Sequence, residues 1–200
     1  SGHGDGPGAD ALPYKTAEGL PAIPGRTIRG LLRDAVEAAG NAGSLPAAVS
    51  AEALFGTEIA VRRGAEEREK RLEAARFNTT EGLLIVDSAL IGDTPAAQAQ
   101  WRAWARKPDS TTHKAGLWRR FASTAIEASG VAKDKSLRTI EHAVPLTLTA
   151  FVSYRDDAEG APPVADVFAA LDESLVYLKT FGSDRNRGLG RANFSFEAAE

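Results

Sequence analysis

The chain has 200 residues, 43% of them apolar and 26% charged, with a net charge of −3. That length suits one domain with a sizeable core, or one domain carrying a large insertion. No apolar run reaches the ~18 residues of a membrane span, no secretory signal is visible, and the absence of cysteine excludes disulfides and thiolate metal sites, so the expected setting is cytoplasmic.

Charge is unevenly spread. Residues 15–33 carry +3, 101–120 carry +5 and 177–193 carry +3, leaving −14 for the remainder. Basic stretches on an acidic body are compatible with one charged groove.

"GHGDGPGADALPY" (2–14) reads as a solvated, glycine-rich loop holding His3, Asp5 and Asp10. "LPAIPGRTIRGLLRDA" (20–35) then runs a Pro-Gly turn into a helix, with Thr27 as its N-cap and Gly40 as its stop. Ile28, Leu31, Leu32, Ala35, Val36 and Ala39 form the core-facing stripe, and Arg26, Arg29 and Arg33 gather on one flank beside it. A helix start favours anions, so the flank suits phosphate; the same spacing also describes an ordinary solvated face.

Residues 44–76 are rich in alanine and charge, with six acids balancing six bases across 52–76. "GLLIVDSALI" (82–91) reads as a buried strand in which Asp87 bonds locally. Residues 93–142 form a long insertion, with Trp101 and Trp104 as packing residues of one helix. "AVPLTLTAFVSY" (143–154) alternates like a strand. A helix follows at 162–182, with Val164, Val167, Phe168, Leu171, Leu175 and Leu178 on one side. "RANFSFE" (191–197) is expected to be a last strand, after a loop with Arg185, Arg187 and Arg191 around Gly188 and Gly190. Its Gly-Leu-Gly precedes a strand, so it is neither a dinucleotide fingerprint nor a P-loop. Glu141 and His142 read as hairpin contacts, and no nucleophile elbow accompanies any of the three histidines.

Prefixing one strand gives β-α-β-β-α-β, an α+β, ferredoxin-like arrangement. The core would occupy 20–40, 81–92 and 143–197 of a single domain, with insertions at 41–80 and 93–142. With no methionine at position 1, the first strand is expected to lie ahead of the residues given.

Four stretches, in order, resemble the RAMP superfamily of CRISPR-associated proteins: "GLPAIPGRTIRGLLRDA", "EGLLIVDSALI", "STAIEASGVAKDKSLRTIEHAVPLTLTAFV" and "FGSDRNRGLGRANFSF". Within it the chain is most similar to the backbone subunits of type III RNA-guided interference complexes. The resemblance implies a modified RRM-like core that assembles with other RAMP subunits along a guide RNA and meets a complementary target RNA. Arg26, Thr27, Arg29 and Arg33 would hold guide phosphates, as would Arg185, Arg187, Gly188, Gly190 and Arg191. A thumb hairpin that kinks the duplex would lie within 112–142, where His113, Lys114, Arg119, Arg120, Lys133, Lys135 and Arg138 fall.

The slicing members of the family carry an Asp in a loop ahead of the Pro-Gly turn, where this chain has Asp10. Asp10 is thereby implied as catalytic residue and ligand of a divalent metal ion, Mg²⁺. Relatives lacking such an Asp act as scaffold or capping subunits. A guide-processing endonuclease of the same superfamily would need a histidine near the first helix, and residues 24–40 contain none.

Overall fold

The computed structural model describes residues 13–57, 80–124, 130–131, 138–182 and 189–198. They form a mixed α+β structure in two compact units. One collects the described residues of Ser1–Gly25 and Ser88–Phe151, the other those of Arg26–Asp87 and Val152–Glu200.

The second unit is built on α1 (Gly25–Asn41), whose Leu32, Ala35, Val36 and Ala39 are buried, as the helical stripe requires. The helix begins two residues before Thr27 and runs through Gly40. Thr27 is therefore an exposed first-turn residue and not the cap. Ser50 caps the short α2 (Ala51–Phe55) by accepting from the Ala53 N–H at 3.1 Å. Leu54 and Phe55 of that helix join Leu32, Val36, Val49, Leu84, Val167, Ala170 and Leu171 in one apolar core. Burying each large side chain contributes roughly 1.5–3 kcal/mol, which is why so short a helix stays in place.

A two-stranded antiparallel sheet covers this core. Strand β1 (Leu84–Val86) pairs with a strand at Val152–Tyr154, in the register Leu84↔Tyr154, Ile85↔Ser153, Val86↔Val152. Leu84 and Val86 face inward and Ile85 faces out. Antiparallel neighbours are what a ferredoxin-like core needs of its second and third strands; among the described residues the sheet has only these two.

Three expectations change here. The strand foreseen over 143–154 contracts to its last three residues, while 149 is held by a single bridge to Leu90. Residues 191–197 keep alternating exposure, with Phe196 against the core, yet among the described residues they pair with a neighbour only through the Thr180–Arg191 bridge. In the helix Val164–Ser174, Val167, Ala170, Leu171 and Ser174 are buried but Val164 and Phe168 are exposed. The real stripe is rotated toward the small residues Ala170 and Ser174, which let the helix sit close to its neighbours.

The first unit contains the larger sheet. Helix α3 (Pro95–Ala105) starts on Thr94, whose hydroxyl accepts from the Ala97 N–H, with proline in its first turn. A 3₁₀ turn (Pro108–Ser110) and α4 (Thr111–Ala115) lead into β2 (Trp118–Ser123). This strand pairs antiparallel with β3 (Arg138–Ala143), from Trp118↔Ala143 to Ser123↔Arg138. These two strands form the stem of a hairpin at 118–143, within the stretch where the resemblance implies a thumb. The 152–154 strand is β4 and the 164–174 helix α5.

Candidate nucleic-acid interface

The basic residues divide into those bound within the protein and those left free. At α1 the division runs along the helix. Gly25 donates its N–H to Ser88 Oγ at 3.2 Å, meeting one of the unpaired groups at the helix start. Asp87 beside it is exposed, so the serine of this pair is the residue that bonds. Arg26 and Thr27, one step on, are exposed.

Arg29 and Arg33 turn the other way. Arg29 Nη2 donates to the Phe55 carbonyl at 2.6 Å, and its guanidinium lies 6.0 Å from the Phe55 ring centre. Arg33 donates from Nη1 to the Gly56 carbonyl and from Nε to Glu37 Oε1, both at 2.9 Å. A Cβ on Gly82 would meet Arg29 Nη2 and the Phe55 backbone, so glycine is what lets this clamp close. Both residues lie off the apolar stripe, but they pin the end of α2 to α1.

Lys114 is also committed internally. Its Nζ donates to the carbonyls of Ala105 at 2.7 Å and Glu18 at 3.2 Å. Glu18, only 5% exposed in its side chain, takes Arg106 at 2.8 Å and Arg102 at 3.4 Å on Oε1. The Arg106 hydrogen bond holds its carboxyl at about 2 against an ordinary 4.5, overcoming the opposing effect of burial. Nothing in the composition or spacing marked Glu18, because its partners lie more than eighty residues away.

On the hairpin the division follows the pleat. Trp118, Arg120, Glu141 and Ala143 share one face. There Glu141 accepts from Lys15 Nζ at 2.5 Å and lies 3.7 Å from Arg120 Nε. Lys15 also sits 4.2 Å above the Trp118 ring, and Trp118 Nε1 donates to the Gly19 carbonyl at 3.3 Å. The opposite face carries Arg119, Phe121, Arg138, Ile140 and His142. Arg119, Phe121 and Arg138 are exposed, and among the described residues neither arginine has a hydrogen-bonding or acidic partner. Glu141 and His142 therefore point to opposite faces and form no acid–base pair.

At the last turn, Arg191 is exposed. Gly190 adopts φ +74, and a Cβ there would collide with the Phe181 carbonyl, so this glycine serves the turn itself. Arg185, Arg187 and Gly188 lie outside the described residues, as do Asp10, His3, Asp5, Lys133 and Lys135. Among the described residues no cluster of three or more His, Asp or Glu side chains is placed to hold a metal ion. Nor is any helix there long and apolar enough to cross a membrane. Trp101 and Trp104 pack edge to face on each other, with ring centres 5.3 Å apart.

Arg26, at the start of α1 in one unit, and Arg119 and Arg138, on the hairpin of the other, face solvent with no carboxylate partner among the described residues, as groups that meet a polyanion would. No curated protein matches the chain. The family model described as the RAMP superfamily matches residues 2–194, nearly the whole length. The chain belongs to the RAMP superfamily and is a CRISPR-associated RNA-binding module.

Proposed function

We propose that the protein is a guide-RNA-binding backbone subunit of a type III interference complex, acting in the cytoplasm with other RAMP subunits. The carrying observation is the sorting of its cations: Arg26, Arg119, Arg138 and Arg191 face solvent, whereas Arg29, Arg33 and Lys114 bind backbone carbonyls. Free guanidinium groups grip phosphates bidentately and read no sequence, which suits a subunit that must accept any guide.

Binding of the full chain to unstructured RNAs of unrelated sequence tests this. Affinities should be similar across sequences and fall steeply with salt, as release of counterions requires. A strong sequence preference with a flat salt response would overturn it.

Cleavage of the complementary target belongs to the same proposal, with Asp10 as the residue that orients or deprotonates the attacking ribose 2′-OH. A bound divalent cation would supply charge stabilisation at the target phosphate. In the assembled complex, Asp10→Ala should slow single-turnover target cleavage by about 10²–10⁴-fold and leave guide binding intact. Unchanged cleavage would make the subunit a scaffold.

A further inference from the structure

We propose that the solvent-facing side of α5 is a docking site for another protein, one that presents a cationic amphipathic helix. The site uses none of the cations assigned to RNA.

α5 is apolar on both sides. Its inner side, Val167, Ala170 and Leu171, belongs to the core. On the other side, the exposed residues of its first two turns are Val164, Ala165, Phe168 and Ala169. Val164 is 56% and Phe168 40% exposed, and the 3₁₀ turn that follows (Leu175–Tyr177) adds Val176 at 64%. A helix made to face water is polar on its outer side, and one that is apolar all round is a helix meant to be covered. The core covers only one side of α5.

The relief of that side suits another helix. Val164 and Phe168 make one i, i+4 row, and Ala165 and Ala169 make the next. A large row beside a small one leaves a groove along the axis, which a ridge of side chains on a second helix fills. The eleven residues of α5 give about 16 Å of helix, matching three turns of a partner.

Charge then selects the partner's chemistry. Residues 156–178 contain Asp156, Asp157, Glu159, Asp166, Asp172 and Glu173 and no lysine, arginine or histidine. All of these acids but Asp166 are exposed. They repel RNA phosphates and anionic lipid alike. Two copies of α5 laid face to face would set the same acids against each other. An apolar stripe flanked by lysine or arginine fills the groove and neutralises the acids at once.

The test titrates the full chain with a synthetic helical peptide of leucine and lysine, and with its leucine–glutamate twin. Wild type should bind the lysine peptide, less tightly as salt rises, and should ignore the twin. Phe168→Ser should weaken peptide binding by roughly ten-fold or more, with melting temperature and RNA affinity unchanged. Asp172→Asn with Glu173→Gln should weaken it too and flatten its salt response. Peptide binding by Phe168→Ser equal to wild type overturns the proposal. So does a clear fall in its melting temperature, which would mean that the ring packs within the fold, or a loss of RNA affinity, which would make the face part of the RNA surface. If wild type forms concentration-dependent oligomers in sedimentation that Phe168→Ser dissolves, the occupant is a second copy and the cationic partner is wrong.

Discussion

Arg29 lies across the end of a neighbouring helix, its Nη2 2.6 Å from the Phe55 carbonyl oxygen and its guanidinium above the Phe55 ring. Phe55 is buried, so the carbonyl has few other partners to turn to. Removing a charged donor from such an acceptor costs about 1.5–3 kcal/mol. Arg29→Ala should therefore lower the denaturant midpoint clearly, and Arg33→Ala should do so too by freeing the Gly56 carbonyl. Arg26→Ala, on an exposed turn, should leave the midpoint in place and reduce the salt slope of RNA binding. The reverse pattern would return Arg29 and Arg33 to the phosphates.

Glu18 predicts a pH response. Its folded carboxyl titrates at about 2 against an ordinary 4.5, chiefly through Arg106. A depressed carboxylate contributes stability that is complete above 4.5 and disappears as pH falls through 4.5 toward 2. Glu18→Gln removes that contribution at every pH. The gap in urea midpoint between wild type and Glu18→Gln should be widest at neutral pH and should close steadily on acidification. A gap that stays constant down to the acid limit would place the role of Glu18 in its shape and not its charge.

The elements whose residues alternate or repeat locally were legible in the sequence. The α1 stripe at Leu32, Val36 and Ala39 is buried as the period demands, and an antiparallel strand pair falls inside the 112–142 stretch but for its last residue, Ala143. Strand length was less legible, because alternation at 144–148 reflects which side chains turn inward and not whether a partner strand is there to bond. The division of the arginines could not be read at all. Arg26, Arg29 and Arg33 look alike along the helix, and only the return of Phe55 and Gly56 against it decides which are occupied. Glu18 escaped notice for the same reason: its meaning depends on Arg102 and Arg106, far along the chain.

Two glycines should respond in opposite directions. Gly190 sits at φ +74 with the Phe181 carbonyl where a Cβ would go, and Phe181 donates its own N–H to the Gly190 carbonyl at 2.9 Å. Gly190→Ala strains the backbone and displaces that turn, at about 1–3 kcal/mol or more. Gly30 lies exposed in α1 with nothing within 4 Å of an added Cβ. Gly30→Ala should stabilise by about 0.5–1 kcal/mol, since alanine loses less chain entropy in a helix. Thermal melts of the two variants decide it; a Gly190→Ala protein as stable as wild type would mean the turn has another conformation.

The hairpin arginines provide a test with an internal control. Arg119 and Arg138 share the outer face and have no partner among the described residues, while Arg120, between them in sequence, lies on the inner face 3.7 Å from Glu141. All three are exposed, so alanine at any of them should change the melting temperature little. Each phosphate contact to a single strand contributes about 0.7 to the slope of log affinity against log salt. Arg119→Ala with Arg138→Ala should then flatten that slope by roughly one to one and a half and weaken binding equally for all sequences. Arg120→Ala should change the slope less than either, because Arg120 lies 3.7 Å from Glu141, a carboxylate it shares with Lys15. Titrations of the full chain with unstructured RNA at several salt concentrations give both numbers. If Arg120→Ala flattens the slope as much as the pair does, the inner face meets RNA as well, and the hairpin is gripped on both sides.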